Sequence, residues 1–308
     1  MSAAGFLPSL GQVLLQVLAP IALMVAAGFL LRKRLVVDVR SISRIVFYTL
    51  APCLVYTSIL TLDFDLDTAW RSLAFAGLHM ATMGVLAFLL ARRWRYGSGL
   101  GSAFILCAIL LNNGNYGLPL NLFAFGPEGF GYALILFMFN SLVGSTISIY
   151  LLARGHDGGR LALQRTLATP IIWAMALGFL SRFSGVAPTG SLFDMIELAG
   201  RSAIPVFLIV LGMALAQVNF RTNLRSVSRL TTLRMLGGPA FAILLARLVG
   251  LTGVAYSAAI MQGSMPTAVN AIVLSNEFET TPDFVAGSVF ATTIASIITL
   301  PALLLWLT

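Results

Sequence analysis

The sequence predicts an all-α polytopic membrane protein: ten transmembrane helices in two inverted five-helix repeats, with helices four and nine broken. Three observations carry this. Of the 308 residues, 58% are hydrophobic and 10% charged, and mean hydropathy is +0.94. A soluble domain of that size needs far more charge to coat its surface. Apolar runs of about twenty residues, each long enough to cross about 30 Å of hydrocarbon, recur along the whole chain. The two halves, finally, repeat one another.

Candidate spans fall near 9–31, 42–61, 69–91, 99–125, 129–153, 168–184, 198–217, 230–250, 253–276 and 284–307. The sixth is short, and "SRFSGVAPTGSLFDMIE" after it reads as an interfacial turn. "MSAAGFLPSL" has no basic leader region, so its apolar stretch reads as a retained first span rather than a cleaved signal. Cys53 and Cys107 lie inside apolar runs and read as packing residues, not as a disulfide or a metal site. No cofactor is expected.

The net charge of +8 is spread through short loops, which signals topology rather than a nucleic-acid partner. Placing the first loop in the cytoplasm gathers fifteen basic residues on that side, from Arg32, Lys33 and Arg34 through to Arg225, Arg229 and Arg234. Only Arg71, Arg182, Arg201 and Arg247 remain opposite. The loop "TLDFDLDTAW" is acidic and falls outside, whereas the acidic "EFETTPDF" falls inside, where acids weigh little in the rule. Both termini are expected to face out.

"PIALMVAAGFLLR", Pro20 to Arg32, recurs as "PIIWAMALGFLSR", Pro170 to Arg182, at an offset of 150 residues. Pro52 in "LAPCLVY" pairs with Pro205 in "AIPVFLI", and Pro119 with Pro266. An odd number of spans per half inverts the second half, the plan of secondary transporters with discontinuous helices at the midplane. The expected units are 1–153, a short cytoplasmic linker 154–167, and 168–308.

Span four opens with "GLGSAFILCAILL", thirteen residues, or roughly 20 Å of helix, too short to cross. "NNGNYGLP" then interrupts it. Pro119 removes a backbone donor, and Gly114 and Gly117 permit non-helical dihedrals. Span nine repeats the device with Gly263, Ser264 and Pro266. Each proline is expected in the first turn of the half-helix that follows it. The positive N-terminal ends of those half-helices would converge and suit an anion. Asn112, Asn113, Asn115, Gln262 and Asn270 would supply neutral hydrogen bonds. A proline kink with a polar residue capping the freed carbonyl is the plainer alternative.

At "NNGNYGLPL" the chain resembles the auxin efflux carrier family, bacterial relatives of the plant PIN transporters in the bile acid, arsenite and riboflavin transporter superfamily. "ISRIVFYTLAPCLVYTSIL", "AIPVFLIVLGMAL", "MPTAVNAIVLSNEF" and "ASIITLPALLLWL" extend the likeness over essentially the whole chain. Its most specific motif is Asn-x-x-x-Pro, here Asn115 to Pro119. The resemblance implies that spans four and nine cross at their breaks and that small organic anions are exported by an elevator motion. It implies that Asn115 contacts substrate and that Pro119 and Pro266 form the crossover. It also implies a bacterial inner-membrane location and a homodimer. The long loop of the plant carriers is replaced by the short "RGHDGGRLALQR". Malate or malonate fits the bacterial relatives, and nothing in these residues selects one.

His79, inside span three, either relays protons or makes a helix–helix hydrogen bond. Arg201 and Glu197 read as an intrahelical pair at the outer interface or as an anion vestibule. Asn140 and Ser141 interrupt span five and are candidates for the cavity wall. No span carries a well-buried carboxylate, which argues against a carboxylate-held coupling ion. Hydrolase motifs and paired acids are missing, so the chain does not read as an enzyme. A channel and a sodium- or proton-coupled symporter remain the rival readings.

Overall fold

The computed structural model describes residues 11, 13–35, 37–62, 65–153, 158–217 and 224–307. The start of the first expected span, and Arg154 and Arg221, lie outside the described residues. Helices α1 (Ala19–Arg34), α2 (Val39–Ile45), α3 (Ala51–Thr61), α4 (Leu66–Arg93), α5 (Ser98–Ile109), α6 (Leu118–Phe139) and α7 (Ser145–Leu152) form the first half. The second holds α8 (Gly158–Leu167), α9 (Pro170–Ser184), α10 (Ser191–Leu215), α11 (Leu224–Thr232), α12 (Gly238–Leu248), α13 (Gly253–Gly263), α14 (Asn270–Glu277) and α15 (Pro282–Leu307).

Proline shapes many of these helices. The π-helical turns Val13–Leu18, Val46–Leu50, Asn113–Gly117 and Leu233–Gly237 each end two residues before a proline, namely Pro20, Pro52, Pro119 and Pro239. Proline has no N–H to give, and its ring presses on the carbonyl one turn back; a wider turn relieves both problems. A further π-turn, Asn140–Gly144, has no such proline.

By length and composition, six helical stretches can cross a membrane, or seven if α8 and α9, bent by 59°, count as one. Large apolar side chains such as Leu23, Trp70, Phe183, Leu248 and Ile298 are exposed on the outer surface, as lipid contact requires. This is a multi-pass membrane protein. The expected spans are not all single helices. Spans four and nine are interrupted, and spans four and five share one 40-residue stretch, Asn113–Leu152. That stretch bends at Gly126, whose φ of 66° only glycine adopts easily, just before Pro127. Span seven begins earlier than expected, at Ser191, so the interfacial turn narrows to 185–190 between Gly185 and Gly190, both at positive φ. On the acidic loop, Asp65 caps α4; the hydroxyl and N–H of Thr68 hold its carboxyl below the usual carboxylate range.

The repeated segments pack reciprocally. A β-carbon on Gly28 of α1 would lie 2.1 Å from the Ile209 carbonyl oxygen of α10, and one on Gly178 of α9 would lie 3.1 Å from Ile59 Cδ1 of α3. Gly28 and Gly178 stand 150 residues apart, and so do Ile59 and Ile209. Each half thus lends its glycine helix to the other half's isoleucine helix. Helices α1, α3, α9 and α10 are drawn into one close-packed group.

The two glycines differ in what they touch. Gly28→Ala drives a methyl into a carbonyl that cannot rotate aside, so the helices must part, at a cost of about 1–3 kcal/mol or more. Gly178→Ala meets a side chain and is expected to cost less. Thermal unfolding of the purified variants in detergent measures the order; equal losses would contradict it.

Candidate functional site

The site begins where α5 stops. Leu110 takes φ −89° and ψ 102°, outside the helical region, and the chain stays non-helical through Asn112. Helix resumes at Asn113 with the π-turn that accommodates Pro119. In the second half α13 ends at Gly263, and α14 starts only at Asn270. The two interruptions meet. The Asn112 N–H donates to the Pro266 carbonyl and the Ala268 N–H to the Leu110 carbonyl, each at 2.9 Å. Segments 110–112 and 266–268 therefore lie antiparallel, joined at the bridge between Leu111 and Thr267.

A helix end in hydrocarbon leaves carbonyls that water cannot reach, so each needs a protein donor. At the end of α5 every one has a donor. The Thr267 hydroxyl donates to Cys107 O at 2.8 Å, Arg234 Nη1 to Ala108 O at 3.3 Å, and Asn140 Nδ2 to Ile109 O at 3.2 Å. At the end of α13 the Ser264 hydroxyl donates back to Ile260 O at 2.6 Å, and Arg234 Nε donates to Met265 O at 3.0 Å. Arg234 Nη2 donates to Gly263 O. One guanidinium thus serves both breaks.

Arg234 is fully buried, and this corrects its assignment to a cytoplasmic loop. It sits in the π-turn between α11 and α12, with Gly238 one turn on, where a β-carbon would lie 3.0 Å from Nη2. The signal was present: Arg234 falls four residues inside the expected eighth span. Arg225 and Arg229 nearby resemble it in sequence, but Arg229 stacks on Trp94 at 4.2 Å and bonds the Tyr96 hydroxyl.

Asn112, Asn113, Asn115 and Gln262 are all buried at the breaks. Gln262 Nε2 donates to Ala133 O at 3.0 Å and to Asn113 O at 3.4 Å. Asn112 Nδ2, Asn113 Oδ1, Asn115 Oδ1 and Gln262 Oε1 are buried without a hydrogen-bond partner. Such atoms cost about 1–3 kcal/mol each. The structure sets Asn270 apart, at the start of α14 and exposed.

Two expectations on the break residues need correction, those on the glycines and on Pro266. Gly114 and Gly117 keep helical dihedrals; what they provide is room. A β-carbon would lie 2.7 Å from Phe137 Cε2 at Gly114 and 2.1 Å from Gln262 Oε1 at Gly117. Pro119 is the second residue of α6, in its first turn as expected, directly after the π-turn. Pro266 stays in the extended break, where its carbonyl accepts from Asn112. A cavity of ≈ 20 Å³, bordered by His79, Met80, Asn113, Asn140, Gln262 and Gly263, adjoins the breaks. That is room for about one water molecule.

The other polar candidates resolve simply. His79 Nε2 lies 3.1 Å from the Gly238 carbonyl, a helix–helix hydrogen bond, and its ring stacks on Phe75. Arg201 and Glu197 form the intrahelical pair at 2.8 Å. Asn140 reaches the site, and Ser141 is only partly buried.

The sequence profile of the family described as membrane transport protein matches residues 13–160 and again 156–304. The chain belongs to that family, which includes the auxin efflux carriers. The double match shows a two-repeat membrane transport protein. An uncharacterized transporter of Methanothermobacter thermautotrophicus is 29% identical over 269 residues, 86% of this chain and 87% of its own. Another, of Methanocaldococcus jannaschii, is 24% identical over 222 residues, 70% and 72% of the two chains. The family and these relatives are transporters, not enzymes.

In this membrane transport protein, Thr267→Val removes the donor to the Cys107 carbonyl at constant shape and is expected to cost about 1–3 kcal/mol. Thr267→Ser keeps the hydroxyl and should melt within a degree or two of the parent. The comparison of melting temperatures is the check.

Proposed function

We propose that this chain is a secondary transporter that exports small organic anions, carboxylates in particular, by elevator-type alternating access at the meeting of the two breaks. The reading places ten helices in two inverted repeats, units 1–153 and 168–308 around the linker 154–167, with spans four and nine crossing. The carrier resides as a homodimer in a bacterial inner membrane, both termini periplasmic.

One observation carries it: buried amides with unmet hydrogen bonds surround a break at which, among the described residues, no carboxylate is buried. Arg234 offsets the negative C-terminal ends of α5 and α13, so the helix starting at Asn113 keeps its positive end and free N–H groups uncompensated. An anion is the ligand such an end favours. Carboxamides present nitrogen or oxygen as they flip, so Asn112, Asn113, Asn115 and Gln262 can turn donors to it. Gly114 and Gly117 leave room for Phe137 and Gln262 beside them, Pro119 follows the first break, and Gly263, Ser264 and Pro266 lie at the second. A cavity of ≈ 20 Å³ is too small for a carboxylate, so one group of helices would move against the other before it enters.

A sodium- or proton-coupled symporter is the second reading, favoured by the unpaired side-chain oxygens of Asn113, Asn115 and Gln262. Energetics separate the two. An anion leaving an inside-negative cell gains about 2.3 kcal/mol per 100 mV, which sustains roughly fifty-fold export without a coupling ion. In proteoliposomes without ion gradients, a potassium–valinomycin potential should drive carboxylate flux and reverse it when inverted. Asn115→Ala should cut that flux about tenfold or more, the loss of one buried hydrogen bond. Flux that ignores the potential but stops without a sodium or proton gradient would promote the symporter.

Topology is tested separately. Cysteines at Ser2 and Thr308, both outside the described residues, should label from the periplasmic face, and one at Gly158 from the cytoplasm. Termini labelling on opposite faces would end the five-plus-five arrangement.

A further inference from the structure

We propose that Arg234 is a tethered resident cation: its guanidinium fills a carbonyl cage at the meeting of the two breaks, where a free monovalent coupling ion would otherwise bind. This stands whether or not the substrate is an anion.

The cage belongs to both halves. Ala108 O comes from the end of α5, Gly263 O from the end of α13, and Met265 O from the second break, and all three accept from the one side chain. Half-helix C-terminal ends and unwound carbonyls are the groups with which discontinuous transporter helices hold sodium. Each such end carries about half a negative charge, so two ends together call for about one positive charge. Arg234 supplies it. Among the described residues no Asp or Glu is buried, so carbonyls are its only close counter-charge.

The surroundings fit a permanent occupant. Gly238 leaves space against Nη2, and its own carbonyl is taken by His79 rather than by the guanidinium. The neighbouring carbonyls at Cys107, Ile109, Leu110 and Pro266 already have neutral donors. What remains is a three-oxygen pocket fitted by a forked, delocalised cation. A charge fixed to the protein cannot leave with the substrate. Transport therefore takes no stoichiometric cation through this position, and the cage's charge balance is independent of the salt outside.

Removing the side chain should convert the cage into an ion site. Purified parent protein, Arg234→Lys, Arg234→Ala and Arg234→Gln are melted across sodium, potassium and guanidinium chloride series, with choline chloride holding ionic strength constant. The parent and Arg234→Lys should show no saturable response. Arg234→Ala should melt lower and recover saturably with sodium or guanidinium, by about 5 °C at a hundred times the dissociation constant. Arg234→Gln, which is shorter and neutral but keeps a donor, gives the same reading if the alanine variant does not fold. A neutral variant that folds and ignores every cation would overturn the proposal. So would a parent protein whose melting temperature rises saturably with sodium. Loss of carboxylate flux leaves these melting curves unaffected, so failure of the anion reading and failure of the tethered-cation reading are distinguishable.

Discussion

Hydrocarbon offers a peptide carbonyl nothing to bond, and that constraint organises the centre of this protein. Two helices end in mid-fold, and the carbonyls they strand find donors from three separate places. Thr267 comes from the opposite break, Asn140 from the π-turn after α6, Arg234 from the π-turn before α12, and the extended segments pair with each other. These donors come from different parts of the chain, so the packing that brings them together and the integrity of the breaks are one condition. An irregular backbone at depth survives because its polar groups are met by protein rather than by lipid.

Much of this was legible in the sequence. The repeat of "PIALMVAAGFLLR" in "PIIWAMALGFLSR" located Gly28 and Gly178, and the structure shows why both are glycine. The prolines located the two interruptions. Their bounds were less legible, because Pro119 and Pro266 look alike in sequence but lie in different surroundings: one is taken into a resumed helix by a π-turn, the other is held extended by its pairing with Asn112. The glycines of "NNGNYG" were read as backbone freedom but serve side-chain clearance, which depends on Phe137 and Gln262 arriving from elsewhere. Asn270 follows the second break closely in sequence, yet helix α14 turns its side chain outward. Arg234 resembles the topology charges because loop arginines precede it, but its place inside an apolar span sets it apart.

The reciprocal glycine contacts bear on motion. Helices that meet at the distance of Gly28 to Ile209 have no intervening side chains to slide over one another. The group of α1, α3, α9 and α10 is thereby suited to act as a fixed frame. The interrupted segments, joined by hydrogen bonds and a guanidinium, form a second unit with its own internal ties. Under the proposed alternating access, one body would shift past the other without dismantling the polar cluster at the breaks.

The π-turn at Leu233–Gly237 has a geometric effect of its own. Ser226, Leu230, Arg234, Gly238 and Ala242 are all buried, at a strict spacing of four. In an unbroken α-helix four residues overshoot one turn by about 40°, so such a column would spiral through about 160° along its length. A π-turn inserts one surplus residue and takes back about 100° of that drift. The column stays aimed at the interior across two helices, and the arginine at its midpoint points at the breaks instead of toward the acyl chains. A single-residue change in helical pitch thus sets the azimuth of the charge.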